Sequence, residues 1–220
     1  MMESTELSRI LTQLVLIVPG FLLAITVHEY MHGYVALRLG DPTAKNAGRL
    51  TFNPVSHLDP IGTLALVLTQ MIGWAKPVPV DPRYLTNPRR DMLWISLGGP
   101  AANLVAATVL ALVLHVIVAV FDGRPAGQLT SFFVSPVFLI VRFAVRINIV
   151  LAVFNLIPIP PLDGSSILAG LLPRDLAIQY EKLEPYGFII LLALLLTGIV
   201  GYIILPPIMV IEGILLAGLR

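Results

Sequence analysis

The sequence contains no cysteine. That absence excludes disulfides, thiolate metal sites and a cysteine nucleophile, so any metal must sit on His, Asp, Glu or neutral oxygens. Charge is also scarce: 12% of the 220 residues are Asp, Glu, Lys or Arg, where a soluble domain carries about a quarter. The formal net charge of +1 offers no basic field, and no nucleic-acid partner is expected. Residues 1–9 lack a basic n-region, and the apolar run after them has no small-residue cleavage signal. That run reads as a retained membrane helix rather than a removable signal peptide. There is no internal repeat, low-complexity tract or soluble appendage long enough to form a second domain.

What the chain has in excess is apolar. Hydrophobic residues make up 57% of it, and the mean hydropathy is +0.89. A soluble core of this size cannot hide so much, so lipid is part of the solvent. A helix needs roughly 20 apolar residues to cross the hydrocarbon. Candidate helices cover residues 10–40, 92–121 and 132–157, and a last apolar block covers 186–219. Pro19 and Gly20 can bend the first, and Pro206 and Pro207 are expected to break the last into a spanning helix and a shorter piece. Residues 61–74 supply only about two-thirds of a span.

Basic residues locate the faces. Seven of the fourteen Lys and Arg (Arg38, Lys45, Arg49, Lys76, Arg83, Arg89, Arg90) lie between the first and third helices, and only Arg124 lies between the third and fourth. If residues 61–74 re-enter, all seven share one face, the cytoplasmic one, and Arg174 and Lys182 join them. If that segment crosses, they are split. Two stretches resist a helical reading: residues 76–80, which alternate apolar residues with prolines, and residues 155–164, with Pro158, Pro160 and Pro161. Such backbone at membrane depth must line protein or a watery cavity. The expectation is one integral-membrane domain over residues 1–220, with a core at 10–172 and C-terminal helices at 186–219. It is an all-α polytopic fold of about four to six transmembrane helices, with a re-entrant segment and a short membrane-embedded extended element.

The chemistry is concentrated at His28, Glu29 and His32, an H-E-x-x-H pattern. Residues four apart share a helix face, about 6 Å apart along the axis, so both imidazoles can reach one metal. Glu29 is turned about 100° away, which suits a carboxylate facing a water at the metal. His28 lies about 21 Å along the helix from Leu14, roughly two-thirds of the way across the hydrocarbon. Three ionisable groups at that depth are expensive unless they bind something or face water. A third ligand must come from elsewhere, and Asp163, the only acidic residue between Asp122 and Asp175, is the first candidate. His57, Asp59 and Glu212 compete with it. Asn103 and Asn155 can support the transition state or substrate, or simply cap helices and bridge between them. His115 reads as structural; Arg142 and Arg146 share a helix face and can pair with Glu212 or snorkel; Trp74 and Trp94 read as interface anchors.

With these residues in view, the chain resembles the site-2 protease family of intramembrane zinc metalloproteases, in its compact bacterial and archaeal form. The family pairs HExxH on one helix with N-x-x-P-x-P-x-x-D-G on another, matched here by His28 to His32 and by Asn155, Pro158, Pro160, Asp163 and Gly164. A third element, Gly98, Gly99, Pro100, Ala101, Ala102 and Asn103, is similar to the family as well. The resemblance implies one Zn2+ per chain on His28, His32 and Asp163, Glu29 as catalytic acid/base, and a site toward the cytosol. The implied partners are the lipid bilayer and a transmembrane protein substrate. No PDZ or nucleotide-sensing CBS domain is expected to be attached. The competing class is a membrane metal-ion carrier or sensor, although the inverted repeats usual in transporters are missing.

Overall fold

The computed structural model describes residues 2–69, 74–121 and 128–219. Among them the helices are α1 (Met2–Arg38), α2 (Thr43–Asn46), α3 (Pro60–Thr69), α4 (Pro88–Phe121), α5 (Gln128–Asn155), α6 (Asp163–Leu171), α7 (Arg174–Glu181), α8 (Glu184–Leu196) and α9 (Ile199–Leu215). Three stretches are long and apolar enough to cross a membrane: Leu14–Arg38, Pro88–Phe121 and Val134–Asn155. The α8 and α9 pair, bent by 78°, makes a fourth if it counts as one span. That is three or four spans among the described residues, against the four to six expected. Arg124 and residues 70–73 of the suspected re-entrant segment lie outside the described residues.

The core is the mutual packing of α1, α4 and α5. Helix α4 shows how it is built. Asn103, Ala107, Ala111 and Leu114, spaced at helical period, are buried, while Val105, Val109, Leu112 and Val116 on other faces are exposed. Small residues inside let helix axes approach, and the larger aliphatic ones outside suit lipid. Ala107, Ala111 and Leu114 meet Val145 and Ile149 of α5 and Ile208 of α9 in one apolar cluster. Helix α1 continues through Pro19 and Gly20, and the glycine serves packing: a Cβ there would sit 2.7 Å from the Cα of Ala144 in α5.

Two expectations need correction. The C-terminal block does not break at Pro206 and Pro207, which lie inside α9; it breaks at Gly198, whose φ of +75° caps α9 in the left-handed region that glycine tolerates. Nor does a strand form at residues 76–80 among the described residues. Only one isolated antiparallel bridge occurs, between Leu58 and Ala75. The physical reason is the sequence itself: Pro77 and Pro79 have no N–H to continue a ladder, and Pro60 starts a helix on the opposing side. The bridge still carries information. With the Lys76 N–H donating to the His57 carbonyl at 2.9 Å, it brings the two ends of the α3 excursion together.

Candidate metal centre

Two helices deliver the site. One face of α1 presents His28 and His32, and α6 begins at Asp163. The Asp163 Oδ2 atom lies 3.1 Å from His28 Nε2 and 3.4 Å from His32 Nε2, and one ligand atom from each residue falls within a 4.8 Å group. Asp163 arrives there because α5 stops at Asn155 and the proline-rich turn reverses the chain into α6, which packs on α4. Gly164 makes the turn tight enough: a Cβ at that position would collide with the carbonyls of Leu156 and Ile157. Gly99 of α4 does the same for the histidines. Its missing Cβ would lie 2.5 Å from His32 Nε2 and 2.7 Å from His28 Cε1.

The proton positions on the imidazoles follow from their other nitrogens. His32 Nδ1 is 2.7 Å from the Ile95 carbonyl, an oxygen that can only accept. His28 Nδ1 is 2.6 Å from Asn103 Oδ1. The Asn103 amide is oriented by its nitrogen, which donates to the Ala24 carbonyl (2.9 Å) and to Asn148 Oδ1 (3.0 Å). Both Nδ1 atoms therefore carry hydrogen, and a neutral ring then turns an unprotonated Nε2 toward Asp163. Asp163 Oδ2 is itself buried without a hydrogen-bond partner. With both rings neutral, three lone-pair donors converge on one point, an arrangement that a cation satisfies. With no cysteine in the set, two imidazoles and a carboxylate match the two-histidine, one-carboxylate donor set of hydrolytic zinc.

The other sequence-selected residues lie elsewhere. His57 is buried with Nε2 on the Thr51 carbonyl at 2.8 Å. Asp59 caps α3 by accepting the Gly62 N–H at 2.7 Å. Glu212 approaches Arg146 at 3.8 Å. His115 Nε2 binds the Leu215 carbonyl at 3.0 Å, tying α4 to α9. Asn155 donates to the Leu151 carbonyl one turn earlier in α5, and Trp74 and Trp94 are exposed. Glu29 is held by an unexpected partner, the main-chain N–H of Val78, at 2.8 Å from its Oε2. Asn148 was not singled out by the sequence reading. The available signal was a lone amide in an apolar span, seven residues before Asn155 and so on nearly the same face of α5. Outside the spanning helices, the hydrogen-bonded Arg83 guanidinium holds the Asp81 carboxyl below the usual range.

A helical membrane architecture with a largely buried two-histidine, one-carboxylate cluster, and a glutamate following the first histidine, defines a candidate membrane metallohydrolase. Comparison with known proteins makes the class specific. The model of Peptidase family M50 matches residues 16–198. YwhC of Bacillus subtilis strain 168, named as a candidate zinc metalloprotease, is 38% identical over 188 residues, covering 84% of this chain and 82% of that protein. Rip2 of Mycolicibacterium smegmatis, named likewise, is 29% identical over 188 residues, covering 83% and 67%. Rip2 of Mycobacterium tuberculosis H37Rv is 28% identical over 187 residues, covering 83% and 67%. No solved structure matches the chain significantly. The chain belongs to the M50 peptidases, the site-2 protease family of zinc metalloproteases, in its compact form.

Proposed function

We propose that this chain is a multi-pass endopeptidase of the cell membrane that hydrolyses membrane-spanning or membrane-anchored proteins, with its site toward the cytoplasm. The observation that carries this reading is the convergence of His28 Nε2, His32 Nε2 and Asp163 Oδ2, with Glu29 next in sequence to His28. The orientation follows from the basic residues between α1 and α4. The bridged ends of the α3 excursion support a re-entrant segment, which keeps those residues on one face.

His28, His32 and Asp163 would hold one Zn2+. When bound, such an ion lowers the pKa of water toward neutrality and polarises a scissile carbonyl. Glu29 accepts the proton of the attacking water and delivers it to the leaving amine nitrogen. Its Oε2 is occupied by the Val78 N–H, which leaves Oε1 for the proton. Asn103 holds His28 in the tautomer that offers Nε2. Asn155 has spent one of its two Nδ2 hydrogens on Leu151 and keeps the other for a developing oxyanion. A transmembrane helix shelters its own peptide bonds, so the substrate must unwind locally before cleavage. The extended segment at 76–80 is the place where an unwound strand would lie.

The test is zinc content per chain in detergent-purified protein, beside cleavage of a membrane substrate. The wild type should hold about one zinc, Asp163→Ala should lose most of it, and Glu29→Gln should keep the zinc while losing cleavage. Well-folded wild type without zinc would sink the reading. Zinc-ion flux that survives Glu29→Gln would instead favour a carrier.

A further inference from the structure

Two buried charged residues take no part in the metal cluster, yet both grip the segment that touches Glu29. Asp41, just past the end of α1, is fully buried. Its carboxylate accepts the Thr43 N–H at 2.9 Å, the Thr43 hydroxyl, and the Asp81 main-chain N–H at 2.8 Å. Arg49, also buried, donates from Nη2 to the Lys76 carbonyl at 2.5 Å. On the same residue, the Lys76 N–H donates to the His57 carbonyl. Residues 76–81 are therefore pinned at both ends, and the contact with Glu29 lies between the pins.

The proline pattern explains why that contact falls on Val78. A proline forces the residue before it into extended geometry, which applies to Lys76 and Val78. In extended chain the N–H and C=O of successive residues face opposite edges, so alternate residues share one. Lys76 and Val78 thus share one edge, consistent with Lys76 binding His57 and Arg49 there while Val78 binds Glu29. Pro77 and Pro79 supply no N–H to the other edge, so it offers only carbonyls. Within the Pro77-Val78-Pro79 tripeptide a single donor survives, and it is the one on the Glu29 carboxylate.

We propose that the main-chain N–H of Val78 is the positioning group of Glu29, and that Asp41 and Arg49 act through it by clamping the ends of the segment. The inference rests on the proteolytic reading above and deepens it. A free glutamate side chain would sample several rotamers. One fixed donor on Oε2 restricts the rotamer and leaves Oε1 outside that contact, and the clamp keeps the donor from drifting. The same geometry constrains substrate entry. A strand pairing along the Val78 edge competes with Glu29 for this N–H, whereas a strand on the Pro77 and Pro79 edge can only donate to carbonyls.

The experiment uses the full chain with two readouts. In metal-free protein labelled with 15N-valine, the Val78 amide should lose its downfield shift and its exchange protection in Glu29→Ala. An unchanged Val78 amide would overturn the proposal without any reference to activity. In zinc-loaded protein, Val78→Pro removes the donor and should lower kcat about 100-fold, the scale of a misplaced catalytic group, with KM and zinc content within twofold. A rise in KM at constant kcat would assign Val78 to substrate pairing and overturn the positioning role. Asp41→Ala, remote from the metal, should reproduce the fall in kcat, and Asp41→Asn, which keeps an acceptor oxygen, should recover part of it. Should Val78→Pro fail to fold, the Asp41 pair and the amide readout carry the test. A Glu29-dependent Val78 amide in a protein that holds zinc but cleaves nothing would sink the protease reading and not the contact.

Discussion

Asn103 is the residue whose replacement discriminates most sharply between ways of reading this site. It is completely buried and makes three hydrogen bonds, to His28 Nδ1, the Ala24 carbonyl and Asn148 Oδ1. Asn103→Ala removes all three and leaves the His28 Nδ1–H without its acceptor. Outer-shell partners of metal-ligating histidines are worth about 10–100-fold in metal affinity, or about 1.4–2.7 kcal/mol. Zinc affinity should therefore fall by that factor, read by competition with a chelator of known affinity in detergent. Stability of the metal-free protein should fall as well, by about 2 kcal/mol for three interhelical hydrogen bonds at membrane depth. Asn155→Ala is the control, because Asn155 bonds only within α5, and its zinc affinity should stay within twofold of wild type. Wild-type zinc affinity in Asn103→Ala, with cleavage alone impaired, would refute this reasoning and move Asn103 to oxyanion support.

Two further predictions address packing. Gly99→Ala places a methyl group about 2.5 Å from His32 Nε2, and should abolish stoichiometric zinc binding while leaving the helical circular dichroism intact; retained zinc would mean that α4 can yield there. Gly20→Val drives a side chain into the Ala144 backbone and should destabilise the packing of α1 on α5 by about 1–3 kcal/mol, the usual cost of overpacking. Equilibrium unfolding in mixed detergent measures it, and an unchanged transition would mean that the two helices can separate at no cost.

Much of the site was legible in the chain because its rules are local. His28 and His32 four residues apart need only a helix to share a face, and four apolar blocks need only lipid to become helices. Asp163 could be singled out as the one acidic residue near the proline-broken end of α5, but that it, and not His57, Asp59 or Glu212, lies beside the two histidines is seen only in the structure. The misplaced helix break has a specific cause. Paired prolines look like the stronger breaker, yet Pro206 and Pro207 sit inside α9 while the chain bends by 78° at Gly198. An apolar helix tolerates missing donors more readily than it supplies a left-handed turn without glycine. The extended element at 76–80 was placed correctly as non-helical, but its partner proved to be a carboxylate rather than a strand.

The sequence by itself thus determined the solvent, the helical faces and the donor types, since hydropathy, the 3.6-residue repeat and the absence of cysteine act on each segment independently of the others. Only the tertiary structure decided which atoms meet: Asp163 with the two Nε2 atoms, Asn103 and the Ile95 carbonyl with the two Nδ1 atoms, and Val78 with Glu29. Those contacts join residues 49 to 135 positions apart. No local periodicity encodes such separations. They depend on how closely α1, α4 and α6 can approach, which Gly99 and Gly164 set by having no side chain.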